Sequence, residues 1–183
     1  MSYCLAIDGM KPEGRKELHK NYHDNYYGFP IHDDNELFGR LILEINQAGL
    51  SWETVLKKEE SFRKAYSNFD IHTIAAYTED DRERLLNDTG IIRNRLKVNA
   101  AIENAKTIIE LQKESGSFEK WLEHHHPKTL QEWMKLFKKT FKFTGGEIVN
   151  EFLMSTGYLK GAHAESCSVY ETVLQHQPMW QKE

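Results

Sequence analysis

From Asn35 onward the apolar residues of this chain recur at steps of three and four, the period of a helix with one buried face. The clearest case runs from Asn35 to Ile45, with Leu37, Phe38, Leu41, Ile42 and Ile45 on that spacing. Gly49 is placed to end this helix and Ser51 to cap the next, with Thr54 one turn inside. The same spacing predicts helices over Trp52–Tyr66, Asp70–Ala76, Arg93–Lys113, Ser117–His124, Thr129–Thr140 and Gly146–Thr156, and a short packed one around Tyr170, Val173 and Leu174. Thr78-Glu79-Asp80-Asp81 reads as a cap opening a further helix through Leu86. No stretch sustains the two-residue alternation of a strand, and no internal repeat or low-complexity linker interrupts the pattern. The expectation is an all-α chain, a single helical globular domain over residues 1–183.

With 183 residues, 39% hydrophobic and 28% charged, the chain suits one ordinary core. No apolar run is long enough to cross a bilayer, so no membrane partner is expected. Met1-Ser2-Tyr3-Cys4 lacks the basic-then-apolar order of a secretory signal, which makes the cytoplasm the expected location. Thiols stay reduced there, so Cys4 and Cys167 are expected as free thiols or metal ligands rather than as a disulfide. The formal net charge of −4 counts against a protein that coats phosphates, but it leaves room for a local basic face. Basic residues do cluster, at Lys57-Lys58, at Arg82 through Lys97, and at Lys135, Lys138, Lys139 and Lys142. Solvated helix faces account for any one of these clusters equally well.

Residues 85–98 carry a more specific signal. One helix ends, a turn contains Gly90, and another helix begins almost at once. Glycine there permits a positive φ and close approach of another backbone. The amides opening the second helix are unpaired and carry partial positive charge, so a phosphate can sit on them, with Arg93, Arg95 and Lys97 adding charge. The segment resembles the helix-hairpin-helix element of DNA repair proteins; an ordinary helix-helix turn with a glycine cap reads the same way.

Glu44 interrupts the apolar run Leu41-Ile42-Leu43-Glu44-Ile45, and a carboxylate on or near a buried face needs partners. Trp52 opens the following helix, and Tyr22 stands in Tyr22-His23-Asp24-Asn25-Tyr26-Tyr27-Gly28. Core packing is the simple reading of both rings. His163 and Cys167, four residues apart, face the same way on a helical turn, and with Cys4 and His23 they make two thiols and two imidazoles, a donor set suited to zinc. With nine histidines, including the run His124-His125-His126, spacing alone does not single these four out.

Tyr22-His23-Asp24, the block Leu43-Glu44 through Gln47-Ala48-Gly49-Leu50-Ser51-Trp52, and the later stretches Phe62-Arg63, Asp88 to Lys97, Phe141-Lys142-Phe143 and Phe152 to Cys167 together resemble 3-methyladenine DNA glycosylase I, a family of the helix-hairpin-helix superfamily. The likeness runs over about residues 4–167. It implies a base-excision enzyme that hydrolyses the N-glycosidic bond of alkylated adenine in double-stranded DNA, releasing 3-methyladenine and leaving an abasic site. It implies Glu44 as the catalytic carboxylate and Tyr22 and Trp52 as base-binding residues, with Tyr27 available as a further pocket wall. Gly49 and Leu50 would enter the duplex where the base has left, and Gly90, Arg93 and Lys97 would contact DNA. The family ties its ends together with one structural zinc held by two Cys and two His, which match Cys4, His23, His163 and Cys167 and join segments 1–30 and 157–183. No catalytic cofactor is implied, and a monomer is expected.

The resemblance departs in places. The family has a tryptophan shortly after its first cysteine, where this chain has Leu5-Ala6-Ile7-Asp8. His19 stands where a phenol is common, Tyr26-Tyr27 replaces a Glu-Trp pair, and the stretch from Pro127 to Leu136 is shorter. These changes bear on lesion range more than on reaction class. They keep two alternatives in view: a damaged-DNA-binding module with impaired catalysis, and a zinc-stabilised helical domain for protein interaction, which the acidic net charge favours.

Overall fold

The computed structural model describes residues 3–182, so Met1, Ser2 and Glu183, at the ends of the expected 1–183 domain, lie outside the described residues. Twelve α-helices and no strand are found among the described residues. In chain order they are α1 (Tyr3–Asp8), α2 (Glu13–Asn25), α3 (Asp34–Gln47), α4 (Trp52–Leu56), α5 (Glu59–Ala65), α6 (Ile71–Ala75), α7 (Glu79–Asn87), α8 (Arg95–Ser115), α9 (Phe118–His125), α10 (Leu130–Thr140), α11 (Gly146–Ser155) and α12 (Tyr170–Gln175). By their contacts the residues gather into two compact units, Met1–Pro30 with Asn150–Glu183, and Ile31–Val149.

The larger unit is built on α3. Leu37, Phe38, Leu41 and Ile42 are fully buried, as the spacing predicts. The α3 helix opens on the Asp33 carboxylate, which accepts from the Glu36 amide at 2.9 Å. Gly39 lies where the ring of Phe69 presses on the backbone: a Cβ there would stand 2.4 Å from a ring carbon. Asp34 reaches out of α3 to accept from the amides of Phe118 and Glu119 at 2.7 and 3.0 Å, which seats the first turn of α9. Two expected boundaries move. The helix expected over Trp52–Tyr66 is two helices, broken at Lys57-Lys58, because Glu59 and Glu60 give α5 an acidic first turn of its own. The helix expected from Arg93 starts at Arg95, because the Asn94 side chain accepts from the Leu96 and Lys97 amides at 3.0 and 3.2 Å.

The smaller unit joins the two ends of the chain. In α2 the buried residues are His19, Tyr22 and His23, a single stripe with no aliphatic member. Gly28 accepts a φ of 84° and donates its amide to the Ser155 carbonyl at 2.9 Å, and a Cβ on it would stand 2.7 Å from that of Ala162.

Candidate active site and metal centre

Cys4, His23, His163 and Cys167 meet in the smaller unit, with their donor atoms all within 4.8 Å of one another. Cys4 comes from α1 and His23 from α2, and the other two come from the segment after α11. The Cys167 sulfur lies 3.7 Å from His23 Nε2 and 3.6 Å from His163 Nδ1, and the Cys4 sulfur lies 3.8 Å from the same Nδ1. A tetrahedron with zinc-sulfur bonds of about 2.3 Å and zinc-nitrogen bonds of about 2.0 Å has edges of roughly this length. The second nitrogen of each imidazole is already engaged: His163 Nε2 with the Tyr27 carbonyl at 2.7 Å, and His23 Nδ1 with Asp24 at 2.7 Å. Outer partners of this kind orient metal-bound histidines. Burial pushes the Cys167 thiol up and the His163 imidazole down, both of which disfavour charge in the cluster as it stands. The residues present therefore fit a closed four-coordinate cation.

Beside this cluster three tyrosines pack. Tyr22 and Tyr27 are both buried, with ring centroids 5.6 Å apart. The Tyr27 hydroxyl donates to Glu151 at 3.1 Å. Tyr3, which sequence reasoning passed over, sets its ring edge-on to Tyr27 at 5.3 Å and lies 6.3 Å from Tyr22. Its hydroxyl meets His19 Nδ1 at 2.7 Å. Aromatic character missing after Cys4 is thus present just before it.

In the larger unit, Glu44 is only 3% exposed on α3. Two residues on, Asn46 is buried with its amide on the Ile42 carbonyl at 2.8 Å, and its Oδ1 has no hydrogen-bond partner among the described residues. It is a buried acceptor that periodicity could not reveal. The α3 helix then ends in the turn Ala48-Gly49-Leu50, with Gly49 at φ 80° and Leu50 41% exposed. Ser51 caps α4, its hydroxyl accepting from the Thr54 amide at 3.3 Å, and leaves Trp52 half-buried.

Residues 85–98 differ from one expectation, at Lys97. Lys97, expected at a phosphate, is buried, and its ammonium donates to the carbonyls of Asn46 at 2.9 Å and Ala48 at 2.6 Å. A cation at the carbonyl end of α3 is favoured by the helix dipole, so the charge serves the fold. Gly90 does not take a positive φ. The space there is tight: a Cβ would stand 3.0 Å from Asp88 Oδ1 and 3.2 Å from the Ser61 Cβ, so a larger residue would have these side chains give by a few tenths of an ångström. The Gly90 amide donates to Asp88 at 2.7 Å, and Lys58 closes the turn by donating to the carbonyls of Thr89 and Gly90 at 3.1 Å each. Arg93 remains exposed at the mouth of α8.

Comparison with known proteins places the chain in a family. The methyladenine glycosylase family matches residues 13–135. DNA-3-methyladenine glycosylase 1 of Escherichia coli K12 is 36% identical over 172 residues, covering 84% of this chain and 91% of the relative. Two solved structures superpose on 92% of this chain and 97% of theirs. One is a 3-methyladenine DNA glycosylase I with a Tyr-to-Phe change, in complex with 3-methyladenine, at 30% identity and a TM-score of 0.81. The other is 3-methyladenine DNA glycosylase I of Staphylococcus aureus, at 29% identity and 0.78. In sequence and in fold alike, this chain belongs to the methyladenine glycosylase family.

Proposed function

We propose that this chain is a monofunctional DNA glycosylase that hydrolyses the N-glycosidic bond of alkylated adenine, 3-methyladenine in the first place, and leaves an abasic site. The observation that carries the reading is Glu44, a carboxylate 3% exposed within an apolar helix face that ends in the Ala48-Gly49-Leu50 turn. Alkylation of a ring nitrogen makes the base cationic and weakens its bond to the sugar. Glu44 accepts from the exocyclic amine and favours the cation, an interaction strengthened by burial. Trp52 stacks on the charged ring. Tyr22 supplies a second face or a hydroxyl contact, and Tyr27 a pocket wall. Water adds to the sugar carbon, the bonding pair passes to the base and neutralises it, and one proton leaves with the solvent. No lysine is assigned a covalent step, in keeping with the engagement of Lys97 on two carbonyls.

The partner is double-stranded DNA carrying the lesion. Residues 85–98 serve as a helix-hairpin-helix element, with the Gly90 turn and Arg93 towards the backbone, and Gly49-Leu50 fills the space the flipped base leaves. Cys4, His23, His163 and Cys167 hold one zinc whose work is structural, since four protein ligands leave no open position for water. Names of relatives support the same activity, because the E. coli protein is called DNA-3-methyladenine glycosylase 1. No helix among the described residues is long and apolar enough to cross a membrane.

The test is release of free 3-methyladenine from methylated DNA by the purified chain. Release above a no-enzyme control is expected. Tight binding to damaged DNA without release would replace this reading with that of an impaired damage-binding module.

A further inference from the structure

In the smaller unit Tyr3 packs against His19, Tyr22, His23 and Tyr27. Its ring centroid lies 5.3 Å from that of Tyr27, 6.3 Å from Tyr22, and 5.8 Å from both His23 and His19. The contacts with Tyr27, His23 and His19 are edge-on, with interplanar angles of 84°, 67° and 71°. Edge-on pairs have a preferred angle, so a ring that is itself fixed sets the orientation of its neighbours. Tyr22 and Tyr27 are the faces assigned above to the alkylated base, and His23 is a member of the metal cluster.

Tyr3 is held at both ends. Burial pushes its pKa up, so it is a neutral phenol with a proton to donate. His19 Nδ1 lies 2.7 Å from the hydroxyl, and the His19 carbonyl, at 3.5 Å, is too distant to compete. His19 is buried on α2, the helix that also carries Tyr22 one turn further on. At its backbone end Tyr3 opens α1, a six-residue helix too short to hold itself together. Ile7, which is buried, and Cys4, whose sulfur lies 3.8 Å from His163 Nδ1, seat this helix. Contact therefore runs from the metal cluster through Cys4 to Tyr3, and from Tyr3 to both base-facing tyrosines.

We propose that Tyr3 is a positioning residue for base binding: anchored on His19, it holds Tyr22 and Tyr27 at the angle at which they receive the alkylated base. It needs no contact with the base itself. Tyr27 shows what the anchor adds. Its hydroxyl donates to Glu151 at 3.1 Å and its carbonyl meets His163 Nε2 at 2.7 Å. Bonds at the backbone and at the hydroxyl leave the ring free to turn about the axis through its Cγ and Cζ, and the edge contact with Tyr3 settles that turn. A pocket whose rings are set beforehand loses less on binding than one whose rings must still be ordered. This role rests on the glycosylase reading above.

The experiment uses the full chain with Tyr3→Phe, His19→Leu and the two combined. Affinity for free 3-methyladenine is read by tryptophan fluorescence, and zinc by elemental analysis. Tyr3→Phe keeps the ring and loses the bond, and it should weaken base binding by about fivefold, the factor worth one ordinary hydrogen bond. His19→Leu should do the same, and the double variant should bind no more weakly than either, because all three lack one shared bond. In single-turnover release at saturating enzyme, the Tyr3→Phe rate should equal the wild-type rate, since Glu44 is untouched, while the enzyme concentration giving half that rate rises. Zinc content should match the wild type. Wild-type affinity in Tyr3→Phe, losses that add in the double variant, or a loss of affinity accompanied by loss of zinc would each overturn the positioning role, while base release by the wild type would still stand. A wild type that neither binds nor releases 3-methyladenine overturns the glycosylase reading, and the positioning role with it.

Discussion

The Lys97 ammonium donates to the Ala48 carbonyl at 2.6 Å, and so α8 holds the turn that follows Glu44. The same group bonds the Asn46 carbonyl at 2.9 Å, and it lies 6.0 Å from the centre of the Phe143 ring. Lys97→Met would leave both carbonyls short of a donor in a buried site, a loss of about 1–3 kcal/mol. Chemical denaturation should show that loss. The salt slope of DNA binding should not change, since the ammonium faces carbonyls; a fall of about one unit would restore Lys97 to a phosphate.

Glu44→Gln keeps the shape of the side chain and removes its charge. Single-turnover release of 3-methyladenine should slow by about a hundredfold or more, the range typical of a positioned catalytic carboxylate. Trp52→Ala should weaken binding of the free base by about tenfold or more. Circular dichroism should report unchanged helicity in both, and full activity in both would remove these residues from the site.

Elemental analysis should find one zinc per chain. The His163→Ala, Cys167→Ala double variant should lose it and melt at a lower temperature, because metal binding that ties two chain ends together stabilises the fold. A double variant that retains stoichiometric zinc would contradict the ligand set.

Asp70 caps α6 by accepting from the Thr73 amide at 2.7 Å. Bonds from the Thr73 side chain and amide hold its carboxyl below the usual carboxylate range. A lowered folded pKa means the stabilisation is present above the unfolded value of about 3.9 and is lost as pH falls through the folded one. Asp70→Ala should therefore cost about 1 kcal/mol at pH 7, and the gap from wild type should close in strongly acidic solution. Thermal melts at both pH values measure it.

Helices α3, α9, α10 and α11 were legible because aliphatic and aromatic residues mark one face of each. Helix α2 was not, because the face it buries consists of His19, Tyr22 and His23, residues that are common on surfaces as well. The candidate carboxylate was visible as a charge inside an apolar run. Tyr3 was not visible, because what gives it a place beside Tyr22 and Tyr27 is the packing of α1, not a motif.

Local pattern alone determined that the chain is helical, where most helices begin and end, and which polar residues break the apolar faces. These properties depend on neighbours within one or two turns. Tertiary structure decided the tasks of long side chains and ring donors: that Lys97 turns inward to two carbonyls, that the Gly90 turn packs tightly against Asp88 and Ser61 without a positive φ, and that donors 159 residues apart, Cys4 and His163, meet. A lysine or histidine reaches several ångströms from its backbone, and burial and the partners brought by other helices settle what it binds.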